Sequence, residues 1–223
     1  MENFLAFSFE QLPFVLIVIM IAFTVHEFAH AYAAYKFGDP TAKLLGRVTL
    51  NPARHIDFFG LFLILVAGFG WARPVPVTRE NFSRPRLMGI IVSAVGPLSN
   101  LLIAFIGAIV FAALVANGVV DNAETSRGVQ AIVLFFNELI RLNVLLFLFN
   151  LIPLPPLDGY RILEDVAPRP LRRRLQAIEP YSIFIFLLLV FIPVLNANTI
   201  GRLQIWVYEI SQSFFDLGIR LFG

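Results

Sequence analysis

The chain has 223 residues, 58% of them hydrophobic and only 14% charged, with a mean hydropathy of +0.80, which excludes an ordinary soluble globular domain and points to a bilayer. Cysteine is absent, so disulfides and thiolate metal sites are excluded, and any transition-metal site must use histidine and carboxylate. The net charge of +2 is small and the arginines lie in short clusters without interleaved aromatics, so nucleic acid is not an expected partner.

Residues 12–35 are almost continuously apolar, long enough to cross a hydrocarbon core of about 30 Å as a helix. A basic n-region is missing and His26, Glu27 and His30 interrupt the run, so it does not read as a removable signal peptide. Segments 43–50 and 72–77 read as extended, the second with prolines that suit only an edge strand, and together they predict a small membrane-associated β element. Its exposed edge could take up an extended peptide segment by strand addition. Between them, the apolar segment 58–69 is short for a crossing and suits a re-entrant or buried element. Longer apolar runs follow at 88–116, 131–152 and 181–195, the last being the shortest. From 200 to 222, Leu203, Trp206, Ile210, Phe214, Leu217 and Leu221 recur at helical spacing, which predicts an amphipathic helix lying in the interface. The expected fold is thus an all-α polytopic membrane protein with about four transmembrane helices. No long polar or Ser-rich stretch divides it, so residues 1–223 read as one domain.

Short cytoplasmic loops carry the excess of Lys and Arg. If 58–69 does not cross, the connection 36–87 holds Lys36, Lys43, Arg47, Arg54, Arg73, Arg79, Arg84 and Arg86, and the loop 154–180 adds Arg161, Arg169, Arg172, Arg173 and Arg174 on the same side. The opposite side has Arg127, Arg202 and Arg220, a split of thirteen to three. Both termini are therefore expected outside the cytoplasm.

The run His26-Glu27-Phe28-Ala29-His30 lies inside the first apolar segment. At about 100° per residue its two histidines sit roughly 40° apart on a helix, so one metal ion can touch both. Glu27 lies on the neighbouring flank, too far round for a natural ligand but placed to take a proton from an attacking water. A pair of histidines satisfied within a helix bundle is the bland alternative, but burying three ionisable groups in one membrane helix costs several kcal/mol and argues for a purpose. A catalytic zinc takes three protein ligands, and Asp158 is the best third candidate. It follows the proline-broken stretch Asn150 to Leu157, where irregular backbone at membrane depth suggests a site, although Asp158 could merely cap the next helix. His55 and Asp57, beside the Asn51-Pro52 turn, read as a local hydrogen-bonded corner.

These residues resemble the site-2 protease family of intramembrane zinc metalloproteases. His26-Glu27-Phe28-Ala29-His30 is similar to its zinc motif, and Asn150 with Leu157-Asp158-Gly159 to its second motif, which supplies the third ligand. Asn51-Pro52-Ala53-Arg54-His55-Ile56-Asp57 and Gly96-Pro97-Leu98-Ser99-Asn100 resemble two further family stretches, so the likeness covers residues 12–165. It implies one zinc per chain on His26, His30 and Asp158, with Glu27 as general base. Carried over by position, Asn150 would stabilise an oxyanion, or else hold two spans together. Asn100 and Asn143 read as packing residues. The chain has no room for an inserted PDZ or appended nucleotide-sensing domain, so the expectation is a short form.

The expected activity is hydrolysis of a peptide bond within or next to a transmembrane segment of a substrate protein. The expected location is a bacterial or archaeal cell membrane, with the active site toward the cytoplasm. A metal-ion or proton transporter is the rival, since buried His, Glu and Asp beside a broken helix also suit an ion path. Transporters of that kind carry internal repeats, and no second copy of the His-Glu motif is found. A catalytically dead relative is disfavoured because Glu27 and all three ligands are present.

Overall fold

A computed structural model describes residues 6–120 and 126–222. Ten α-helices follow in order among these residues: α1 (Leu12–Lys36), α2 (Thr41–Leu44), α3 (Phe58–Ala67), α4 (Pro85–Ala116), α5 (Arg127–Asn150), α6 (Asp158–Val166), α7 (Arg169–Ile178), α8 (Ser182–Phe191), α9 (Pro193–Asn198) and α10 (Ile200–Phe222). Three of them, α1, α4 and α5, are long and apolar enough to cross a membrane, in the places expected of the first three spans. Their ends carry local signals. Proline opens α1 and α4, and the Ser126 hydroxyl accepts from Val129 N–H to cap α5.

The long helix α4 is the common neighbour. His26 and His30 of α1 meet Asn100 and Val92 of α4, so the two run antiparallel, and α5 returns antiparallel along α4 with Asn143 on Asn100 and Phe136 stacked on Phe111 at 5.5 Å. Val15, Val18, Ile19 and Phe23 form one apolar cluster with Ile64, Leu139 and Leu142. A second joins Ala104, Ala108 and Phe111 to Ile140, Val144 and Val207. α3 has 10 residues, capped by the Asp57 carboxylate at Gly60 N–H and closed by Gly68 in the left-handed region. Such a helix rises about 15 Å, half a hydrocarbon core, in keeping with a segment that does not cross.

Three expectations are corrected. Residues 181–195 do not form a fourth continuous span. They divide at Pro193 into α8 and α9, because proline supplies no N–H to the preceding turn, and α8 is only 10 residues long. The lengthwise place is taken by α10. This helix is amphipathic as expected, but it packs along α4 and α5 through Val207 and Phe214, with Phe214 against Phe105 and Gly218 against Ala112. Finally, the described residues contain no strand. One isolated antiparallel bridge joins Ile56 to Ala72. Lys43 and Leu44 are helical, Gly46 at φ +67 turns the chain, and Pro74 and Pro76 have no N–H to offer a ladder.

Candidate metal centre

His26 and His30 lie one turn apart on α1 and are 7% and 8% exposed, buried enough that neither is a surface imidazole. Their Nε2 atoms approach to 3.0 Å, and Asp158 Oδ2 lies 3.1 Å from the first and 3.4 Å from the second. Asp158 opens α6, delivered there by the proline-broken turn after α5. These are the three residues expected to hold a metal, and the structure brings them together.

Their outer hydrogen bonds reveal what the inner atoms must be. Val92 C=O can only accept, and it lies 2.6 Å from His30 Nδ1, so that nitrogen carries the proton. The same logic reaches His26 through two asparagines. Leu139 C=O accepts from Asn143 Nδ2, Asn143 Oδ1 accepts from Asn100 Nδ2, and Ala22 C=O also accepts from Asn100 Nδ2. Asn100 Oδ1 is therefore the acceptor that faces His26 Nδ1 at 2.7 Å, and His26 Nδ1 donates. In neutral rings both Nε2 atoms are then bare lone pairs, aimed at each other and at a carboxylate oxygen that is buried without a hydrogen-bond partner. Three acceptors facing one another repel unless a cation lies among them. Two imidazole nitrogens and one carboxylate oxygen are the ligand types zinc takes in catalytic sites, so the donor set fits it.

Two glycines make the approach possible. A Cβ on Gly96 would come within 2.2 Å of His30 Nε2 and 2.9 Å of His26 Cε1, so α4 needs a bare backbone where both rings lie on it. At Gly159 a Cβ would meet Leu151 C=O at 2.3 Å, which would push Asp158 away.

Glu27 is buried beside the histidines, and its Oε2 accepts from Val75 N–H at 2.9 Å. Asn150 is half-buried, with its amide donating to Leu146 C=O of its own helix at 2.9 Å. His55 and Asp57 form the local corner expected of them: His55 Nε2 donates to Thr49 C=O at 2.7 Å and Asp57 caps α3. Asn100 and Asn143 carry more than the packing role expected. Their signal was available, since fully buried amides in apolar spans need partners.

The model of Peptidase family M50 matches residues 14–192. The chain is 51% identical over 214 residues to "Putative zinc metalloprotease YwhC" of Bacillus subtilis (strain 168), spanning 92% of this chain and 96% of that protein. It is 28% identical over 210 residues to "Putative zinc metalloprotease Rip2" of Mycolicibacterium smegmatis, spanning 91% of this chain and 74% of that one. The protein named Rip2 in Mycobacterium tuberculosis (strain H37Rv) is also 28% identical, over 196 residues, 86% of this chain and 71% of the relative. No solved structure matches. With a family match over most of its length and a relative identical at half its positions, the chain belongs to peptidase family M50, the site-2 protease family that its four motifs resemble.

Proposed function

We propose that the protein is an intramembrane zinc metalloprotease that hydrolyses a peptide bond within or next to a transmembrane segment of a substrate protein, with Glu27 as general base. One observation carries this reading. His26 Nε2, His30 Nε2 and Asp158 Oδ2 converge beside a buried glutamate, on a helix long and apolar enough to cross a bilayer. The names of the relatives support it. Three protein donors leave a fourth position open, the pattern of a catalytic zinc.

Bound there, zinc would supply a Lewis acid that polarises the scissile carbonyl and lowers the pKa of water toward neutrality. Glu27 takes the proton of the attacking water and delivers it to the leaving amine. Asn150 joins the proposal as a donor to the oxyanion, giving up its bond to Leu146 C=O to do so. The thirteen Lys and Arg of connections 36–87 and 154–180, against Arg127 alone in the sequence 117–127 that joins α4 to α5, support those two connections on the cytoplasmic side, and with them a site that takes water from the cytoplasm. The substrate is a membrane-spanning protein or peptide.

The test is to purify the protein in detergent, measure zinc, and incubate it with a panel of single-span peptides beside Glu27→Gln. One zinc per chain in both, with cleavage by the wild type alone, is the expected result. Turnover by Glu27→Gln near the wild-type rate refutes the base, and a wild type that binds no zinc refutes the enzyme reading.

A further inference from the structure

The segment 71–78 crosses the site as an extended strap pinned along its length. At its start the Trp71 backbone passes so close to Gly60 that a Cβ there would lie 2.2 Å from Trp71 C=O. Arg73 N–H donates to His55 C=O at 2.8 Å. The buried Arg47 guanidinium then forks onto two consecutive carbonyls, those of Arg73 and Pro74, the latter at 3.1 Å. At the far end Thr78 N–H donates to Asp39 Oδ2 at 2.7 Å. His55, fully buried and tied to Thr49 C=O, holds the corner from which the strap departs.

This anchoring fixes the position of one atom. Residues 74 to 76 read Pro-Val-Pro, so Val75 N–H is the only main-chain donor among them, and it points at Glu27 Oε2. The two prolines also restrict φ on either side, which reduces the conformations lost when the strap is ordered. Glu27 itself is a three-torsion side chain, and among the described residues no other hydrogen bond holds it. A general base that moves by 1 Å loses much of its effect.

We propose that Arg47, His55 and the Pro74-Val75-Pro76 backbone are a positioning device for Glu27, in which Val75 N–H holds Oε2 and leaves Oε1 to receive the proton. This rests on Glu27 being the base. It assigns a role in the reaction to the Asn51–Asp57 motif and to Arg47, neither of which touches the metal ligands.

The test uses the full chain, zinc-loaded in detergent, and the panel peptide that the wild type cleaves fastest. Val75→Pro deletes the N–H between two residues that are already proline, and Val75→Ala keeps the N–H while trimming the side chain. Val75→Pro should lower kcat on the order of 100-fold with KM and zinc content unchanged, and Val75→Ala should stay near wild type. Val75→Pro should also lower Tm by about 2–4 °C more in the wild type than in a Glu27→Ala background, because the coupling vanishes with the carboxylate. Equal Tm losses in both backgrounds, or wild-type kcat in Val75→Pro, overturn the proposal. Equal kcat losses in the proline and alanine variants also overturn it, since the side chain would then be responsible. Should Val75→Pro not accumulate in folded form, Arg47→Lys, which reaches one carbonyl instead of two, takes its place, and wild-type kcat there is equally fatal. A wild type that binds zinc yet cleaves no peptide sinks the protease reading instead, while the thermal cycle still decides whether Val75 and Glu27 are coupled.

Discussion

Replacing Asn100 with Leu removes the relay between α5 and the metal while changing little volume. Wild-type Asn100 accepts from His26 Nδ1 at 2.7 Å and donates to Asn143 Oδ1 at 2.9 Å, with no exposed surface of its own. In Asn100→Leu the His26 Nδ1–H finds no acceptor, and the tautomer that carries its proton on Nε2 competes, blocking the face that binds metal. Loss of such an outer partner costs about 10–100-fold in metal affinity, or about 1.4–2.7 kcal/mol. The stranded Asn143 Oδ1 adds about 1–3 kcal/mol of instability, which appears in the metal-free protein as well. The two effects separate by measurement: chelator competition reads zinc affinity, and thermal unfolding with excess chelator reads the metal-free fold. Asn100→Asp keeps an oxygen for His26 Nδ1–H and should hold zinc more tightly than the leucine variant. Zinc affinity in Asn100→Leu within about twofold of wild type would refute the argument that Asn100 sets the tautomer.

Asp158→Ala should lower both zinc content and activity, because one of three ligands is lost, and metal analysis with unchanged stoichiometry and affinity would remove Asp158 from the set. Arg79 bonds Asp165 Oδ1 at 2.9 Å and lies 3.6 Å from Glu164, both buried, while Arg172 lies 3.5 Å from each, so Arg79→Ala should cost about 1–3 kcal/mol by leaving the pair to Arg172. Burial raises the Asp165 carboxyl above its usual range despite Arg79 and Arg172, so its folded form binds a proton more readily than the unfolded chain. Its protonation therefore favours the fold at acid pH and that help fades as pH rises through the folded value, so the Arg79→Ala deficit should shrink on acidification in detergent unfolding; a deficit that grows would contradict it. Single cysteines at positions 44 and 169, both exposed, should react only from the cytoplasm, and one at 119 only from outside. Position 42 is fully buried and does not serve as a probe, and position 124 lies outside the described residues.

The three long spans and the metal ligands were legible because each rests on a short-range signal. A run of apolar residues must be helical to satisfy its backbone in lipid, and His26 and His30 share a face by spacing alone. The fourth lengthwise helix was not legible. Residues 181–195 are the more apolar, but Pro193 breaks them, whereas Arg202, Glu209 and Asp216 disguise α10 as an interfacial helix although Val207 and Phe214 pack against α4 and α5. The expected sheet failed for a related reason. Alternation and β-branched residues describe strand-like stretches, yet whether 72–77 finds a partner depends on Arg47 and His55, which hold its carbonyls and an amide from distant turns. Asn100 and Asn143 read as packing residues because each alone can be satisfied within the bundle, and only the direction of the whole relay points to His26.

One stripe on α4 serves both the bilayer and the metal. Gly89, Gly96, Asn100, Ala104, Ala108 and Ala112 recur at helical spacing and are all buried. In lipid, helices gain little from hiding apolar surface and associate where small residues let backbones approach. That approach lets α6 reach Gly89, the histidines of α1 lie on Gly96, and α10 press Gly218 against Ala112. The stripe therefore divides by function along its length, and substitutions that add similar bulk should separate. Gly96→Ala removes a helix-weakening glycine, worth about 1 kcal/mol in propensity, but its methyl would lie 2.2 Å from His30 Nε2 and displace a ligand. Ala104→Val adds bulk to a fully buried position in the cluster shared by α4, α5 and α10, where overpacking costs about 1–3 kcal/mol, remote from the ligands. Gly96→Ala should lose zinc affinity far out of proportion to its loss of metal-free Tm, and Ala104→Val should lose Tm with zinc affinity intact. If both variants lose affinity and Tm in the same proportion, the stripe acts as one packing surface and the special place of Gly96 under the imidazoles is disproved.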